Sequence, residues 1–173
     1  MSTIFKIILI GPAGVGKTSL MRRFVENKFS SNYKFTIGMD CLAKTINLKD
    51  DRVVKLSIWD MGGQERFKFL RKNFYEGAHG AILVFDLSRS NTFFKMKDWL
   101  IDMRSIIEHE IPFIILGNKS DLLSEVGEVI NRDKPRVLAE KENSIYIETS
   151  AKTGENVEKA FKDLTLHLIK LDD

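Results

Sequence analysis

Apolar residues fall along the chain in short runs that alternate with longer stretches of helical spacing. Ile4 to Ile10 is nearly all apolar, broken by Lys6, and it stops at Gly11. Such a run suits a strand buried on both faces. His79 to Leu87, centred on Ala81-Ile82-Leu83-Val84-Phe85, and Ile111 to Leu116 read the same way. Ser144 to Glu148 is a fourth, shorter run. Cys41 to Leu48 and Arg52 to Trp59 instead alternate, and the polar Lys49-Asp50-Asp51 joins them, which predicts an antiparallel hairpin. Lys17 to Glu26 predicts a helix. So does Asn91 to Glu108, where Phe93, Met96, Trp99, Leu100, Met103, Ile106 and Ile107 make one stripe and Ser90 or Asn91 can cap the start. Val157, Ala160, Phe161, Leu164, Leu168 and Leu171 form a last stripe.

Six strand-like runs separated by helices predict an α/β fold of three layers. Its six-stranded sheet is mostly parallel, with one antiparallel edge strand and helices on both faces. In such sheets ligands bind outside the carboxyl ends of the strands. The loops after Ile10, Trp59, Leu87, Leu116 and Glu148 are therefore where chemistry is expected.

Composition narrows the classes. The chain has 173 residues and no Pro/Gly/Ser-rich linker, which predicts one domain over 1–173. Its net charge of +3 is scattered among acidic residues and gives no nucleic-acid footprint. Cys41 is the only cysteine, so no internal disulfide forms and a reducing, cytoplasmic setting fits. No apolar run can span a bilayer, and the first residues show no secretory pattern. His79, His109 and His167 are too dispersed to suggest a metal site.

Gly11-Pro12-Ala13-Gly14-Val15-Gly16-Lys17-Thr18 matches the phosphate-loop pattern G-x-x-x-x-G-K-[ST], between a predicted strand and a predicted helix. Gly14 and Gly16 permit backbone shapes that a Cβ would block. The N–H groups from Ala13 to Ser19 then converge on phosphate at a helix N-terminus. Lys17 can reach the β- and γ-phosphates, and the Thr18 hydroxyl can bind Mg²⁺.

Asn118-Lys119-Ser120-Asp121 follows the strand ending at Leu116. The Asp121 carboxylate can accept from guanine N1–H and the exocyclic amine; adenine would leave it poorly satisfied. Asn118 can tie this loop to its neighbours, and the Lys119 stem can cover the base. Glu148-Thr149-Ser150-Ala151-Lys152 can offer the Ala151 N–H to guanine O6. In Trp59-Asp60-Met61-Gly62-Gly63-Gln64-Glu65, Asp60 is placed for Mg²⁺ through water, the Gly63 N–H for a γ-phosphate, and Gln64 to orient an attacking water. Gly62-Gly63 raises the entropic cost of ordering this loop, so Gln64 is expected to sit poorly in the free protein.

These motifs, in this order and covering Ile4 to about Leu171, resemble the Ras superfamily of small GTPases. Phe29, Tyr33, Thr36-Ile37-Gly38-Met39-Asp40, Lys55 to Asp60 and Phe74 to Ala78 resemble the Rab branch. Asp60-Met61-Gly62-Gly63-Gln64 looks more like the Arf branch, Ala13 stands at a position where Ras has glycine, and Cys41 replaces a Rab phenylalanine. The resemblance implies a P-loop NTPase fold. It implies that Phe29 packs on the guanine, that Thr36 binds Mg²⁺ and γ-phosphate, and that Tyr33 folds over the phosphates.

The activity it implies is a monomeric switch that binds GTP or GDP with Mg²⁺ and hydrolyses GTP slowly in vesicle traffic or signalling, with Gln64, Lys17 and Gly63 as the catalytic set. Exchange factors, activating proteins and effectors would bind residues 29–40 and 61–75. The alternative is a nucleotide-bound interaction module with little hydrolysis, against which Gln64 argues. A P-loop ATP enzyme is disfavoured by Asp121 and by the chain's size. The chain ends Leu171-Asp172-Asp173 without the cysteines of a prenylated tail. Peripheral membrane association is therefore expected only through sequence beyond residue 173 or a partner.

Overall fold

The computed structural model describes residues 3–32, 34–49 and 51–173. Six strands, β1 (Thr3–Ile10), β2 (Met39–Asn47), β3 (Val53–Met61), β4 (Gly80–Asp86), β5 (Phe113–Asn118) and β6 (Ile145–Glu148), form one sheet in the order β2-β3-β1-β4-β5-β6. All neighbouring pairs are parallel except β2 with β3, whose register runs from Met39 opposite Met61 to Asn47 opposite Val53. The α/β sheet with one antiparallel edge strand is thus observed as expected.

Strand alternation divides the core. Ile7 and Leu9 of β1 point to one face and Ile8 and Ile10 to the other, and all four are fully buried. The first face is covered by α1 (Lys17–Glu26) and by α6 (Val157–Asp172), where Phe24 and Phe161 stack at 4.1 Å. On the second face lie α2 (Arg71–Tyr75), α3 (Ser90–Ile106) and Ala139 of α5 (Asp133–Lys141). A short α4 (Leu123–Val126) follows a 3₁₀ turn over Ser120–Leu122.

Several sequence expectations are corrected. The hairpin strands reach two residues further than the alternation predicts, so Asp60 belongs to β3 and not to the loop after it. Likewise β5 runs on to Asn118. Helix α3 is capped by Arg89 instead of Ser90 or Asn91. There the Thr92 hydroxyl accepts the Asp86 N–H at 2.9 Å and donates to the Arg89 carbonyl at 2.7 Å. Leu171 lies off the buried stripe and is exposed. Helix α5 carries no legible stripe, because only Pro135 and Ala139 are buried in it. Pro135 is tolerated in its first turn, where a missing N–H breaks no helical bond.

Candidate functional site

The sheet's carboxyl end opens on a cleft of about 830 Å³. Ala13, Gly14, Gly16, Lys17, Thr18 and Ser19 line it from the phosphate loop and α1. Phe29 and Thr36 line it from the segment after α1, and Gly63 and Gln64 from the segment after β3. Asn118, Lys119, Asp121, Ser150 and Ala151 do not line this cleft; they form a second rim behind Gly14 and Val15. Tyr33 lies outside the described residues.

The loop between β1 and α1 bends because Gly16 takes φ 99°, and a Cβ there would stand 2.3 Å from Asn118 Nδ2. Gly16 caps α1 with no side-chain acceptor, which leaves the first N–H groups of the helix open to an anion. The Val15 side chain is in the core, so this residue offers the cleft only its backbone. Lys17 is buried, and its Nζ donates to Gly11 O at 2.8 Å and Pro12 O at 2.9 Å. Burial brings its pKa down to about 8, against the opposing pull of the Asp60 carboxylate.

Thr18 and Thr36, from separate segments, meet with their hydroxyl oxygens 2.6 Å apart. Thr18 donates to Asp60 Oδ2, and the Thr36 hydroxyl lies 3.3 Å from the same oxygen. Asp60 is fully buried, and its other oxygen, Oδ1, has no partner among the described residues. Burial pushes its pKa up more than Lys17 and the two hydroxyls lower it. A buried orphan carboxylate oxygen beside two hydroxyls is an oxygen donor set that fits Mg²⁺. That ion keeps waters and shares phosphate oxygens, so it needs no cluster of three acidic or histidine ligands, and the described residues hold none.

In the segment after β3 the two glycines have a packing role that the sequence does not show. The Gly62 N–H donates to Gly38 O at 2.9 Å, which prolongs the β2–β3 ladder. A Cβ on Gly62 would stand 2.4 Å from Thr36 O and 2.6 Å from the Phe67 ring. One on Gly63 would stand 2.4 Å from Ala13 N. Both glycines therefore let backbones approach closely, Gly62 towards Thr36 and Gly63 towards the phosphate loop. Gln64 caps a 3₁₀ turn over Glu65–Leu70 and faces the cleft. In that turn Phe67 is 9% exposed and Phe69 78%, a division the sequence leaves open.

On the second rim, Asn118 is buried. Its Nδ2 donates to Val15 O at 2.9 Å, and its Oδ1 accepts from the Thr149 hydroxyl at 3.1 Å and the Ala151 N–H at 3.3 Å. The Lys119 ammonium donates to Gly14 O at 2.8 Å and pairs with Asp86 at 2.9 Å. Asp121 accepts the Ser150 hydroxyl at 2.6 Å.

Three residues escaped sequence reasoning. Arg23 of α1 holds Ala151 O at 2.8 Å and Lys152 O at 2.6 Å. The buried Asp86 pairs with Arg89 at 3.0 Å, and Arg89 Nη2 reaches Ala13 O at 3.4 Å. For Asp86 and Arg89 a weak signal existed, because they flank Leu87, where a strand was expected to end. Arg23 had none.

Comparison with known proteins finds relatives along most of the chain. The Ras family profile matches residues 6–170. Ras-related protein RABG3d of Arabidopsis thaliana is 42% identical over 172 residues, covering 96% of this chain and 83% of the relative. Ras-related protein Rab-1 of Theileria parva is 43% identical over 159 residues, covering 91% and 71%. Ras-related protein Rab-2B of Dictyostelium discoideum is 36% identical over 167 residues, covering 96% and 81%.

Proposed function

The chain belongs to the Ras family, and from that premise we propose that it is a GTP-hydrolysing molecular switch of the Rab type, with residues 1–173 acting as one domain. The observation that carries this reading is the meeting of Thr18, Thr36 and the orphaned Asp60 Oδ1 beside buried Lys17 at an uncapped helix N-terminus. Only a ligand bringing both phosphate and a divalent cation uses all of those groups together.

In this reading the N–H groups of Ala13 to Ser19 and the Lys17 ammonium bind phosphate, and Thr18, Thr36 and Asp60 hold Mg²⁺, Asp60 through water. Bound Mg²⁺ neutralises charge on the β- and γ-phosphates. The Gly63 N–H contacts the γ-phosphate, and Gln64 orients the water. Phe29 packs on guanine with Lys119 opposite; Asn118, Asp121, Ser150, Ala151 and Lys152 complete the base site. Hydrolysis is slow because Gln64 must be ordered and developing charge is stabilised incompletely without a partner. Exposed Phe35, Ile37 and Phe69 support residues 29–40 and 61–75 as the surface for effectors, exchange factors and activating proteins. Relatives named as Rab proteins support a role in membrane traffic, in the cytoplasm and peripherally at membranes. No helix among the described residues is long and apolar enough to cross a membrane. The Gly62-Gly63-Gln64 second switch is the feature we read as Arf-like.

Mass analysis of the nucleotide that co-purifies, followed by competition between GDP and ADP, tests this. Bound guanine nucleotide and strong preference for GDP are expected. Equal affinity for ADP sinks the reading.

A further inference from the structure

Three successive carbonyls of the phosphate loop are held from its outer side by side chains of distant elements. Val15 O takes Asn118 Nδ2 at 2.9 Å, Gly14 O takes Lys119 Nζ at 2.8 Å, and Ala13 O takes Arg89 Nη2 at 3.4 Å. The two cations share one anchor. Asp86, 1% exposed, pairs with Lys119 at 2.9 Å and with Arg89 Nε at 3.0 Å, and its other oxygen accepts the Ser88 N–H and hydroxyl. Burial alone would push its carboxyl pKa up, but the hydrogen bonds from Ser88 and Lys119 outweigh burial and hold it below the usual range. The anchor is thus a stable anion between two cations.

In a trans peptide the carbonyl of one residue and the N–H of the next point in opposite directions. A carbonyl pinned outside the loop therefore aims the following N–H into the cleft. Lys119 in this way sets the Val15 N–H, and Asn118 the Gly16 N–H. The peptide between Ala13 and Gly14 needs a tie most, because Gly14 takes φ 79° and has no side chain to restrain it.

We propose that Arg89, anchored by Asp86, is a positioning residue of the phosphate loop: it fixes the Ala13 carbonyl and so aims the Gly14 N–H into the cleft. The planar guanidinium can grip the Asp86 carboxylate and the Ala13 carbonyl at once; a lysine ammonium is a single point charge. Arg89 acts through Ala13 and does not reach the reacting atoms itself. The inference rests on the cleft being a nucleotide site, but one of its readouts needs no nucleotide.

The test uses the whole chain as Arg89→Ala and Arg89→Lys, read by release of a fluorescent GDP in Mg²⁺, by single-turnover GTP hydrolysis, by the amide ¹⁵N resonance of Gly14, which follows hydrogen bonding at the Ala13 carbonyl, against that of Gly63, and by thermal midpoint. Arg89→Ala should speed release roughly three- to tenfold, the size expected for one partly exposed charge-assisted bond. Its Gly14 amide resonance should shift while that of Gly63 and the midpoint hold. Arg89→Lys should recover less than half of either effect. Unchanged release with an unchanged Gly14 amide overturns the proposal. So does slowed GTP hydrolysis with unchanged release, which would make Arg89 a catalytic group. If the parent chain retains no guanine nucleotide, the GTPase reading fails, and the Gly14 amide in the free protein still decides for or against the tie.

Discussion

On the β4–β6 side of the cleft, backbone is held by side chains arriving from far along the chain. Asn118 holds the backbone of Val15 and Ala151 together with the Thr149 hydroxyl, Arg23 holds Ala151 and Lys152, and Lys119 holds Gly14. On the β2–β3 side the segment around Thr36 is joined to the rest by the Thr18 and Asp60 contacts and by Gly62 N–H to Gly38 O. Its apolar residues face outward, with Ile37 78% exposed. One rim is thus built by the protein's own hydrogen bonds, and the other is held by few bonds and by close contacts at glycine. This division suits a switch, because recognition of the base must not vary with phosphate state, whereas the surface offered to partners must.

Breaking the built rim should give the largest effect. Asp121→Asn should lower GDP affinity by on the order of 10³ or more, because a site made to pair a donor edge is left with unpaired groups. GTP should lose as much as GDP, and XDP should gain. Competition binding with GDP, GTP and XDP checks this; a loss confined to GTP would abolish the distinction between the rims.

The loop floor between the rims predicts a pH effect. With burial holding the Lys17 pKa at about 8, the residue is charged below that pH and phosphate binding needs no proton. Above it, phosphate favours the charged form, so binding takes up a proton and affinity falls as pH rises, by at most about tenfold per unit. Calorimetry from pH 7 to 9.5 should show GDP affinity flat below 8 and falling above. A flat profile throughout would show that Lys17 keeps its proton despite burial.

The smallest effect is expected on the loosely held rim. Gly62→Ala would press a methyl against Thr36 O and the Phe67 ring. Overpacking of this kind costs about 1–3 kcal/mol, but a loop with few ties can relieve much of it by moving. A non-hydrolysable GTP analogue should bind roughly three- to tenfold more weakly, while GDP changes less than twofold. Equal losses for both nucleotides would show that Gly62 supports the phosphate loop and not the Thr36 segment.

The site was legible where its chemistry is local. A strand ending at Gly11, glycines at fixed steps and Lys17-Thr18 opening a helix mark which backbone groups share the loop, though not the distant side chains that aim them. Asn118 to Asp121 and Ser150 to Lys152 were found the same way, as polar loops after apolar runs, and so was the sheet, because unbroken and alternating runs differ in how many faces are buried. Helix α5 was missed because its burial is confined to Pro135 and Ala139 and leaves no periodicity to read. The packing role of the two glycines after Met61 is not legible, because a sequence shows the missing side chain but not the neighbour that requires its absence.

What only the tertiary structure decided are the contacts between segments. Arg89 meets Ala13 across 76 positions, and Arg23 meets Ala151 across 128. Phe67 is buried and Phe69 exposed within the same short turn. Spacing along the chain sets which groups share a loop, a strand face or a helix stripe, because backbone geometry repeats over a few residues. Which loops then lie side by side depends on the order of strands in the sheet. That order arises from burying the two faces of β1 and its neighbours all at once, so no single segment of the sequence carries it.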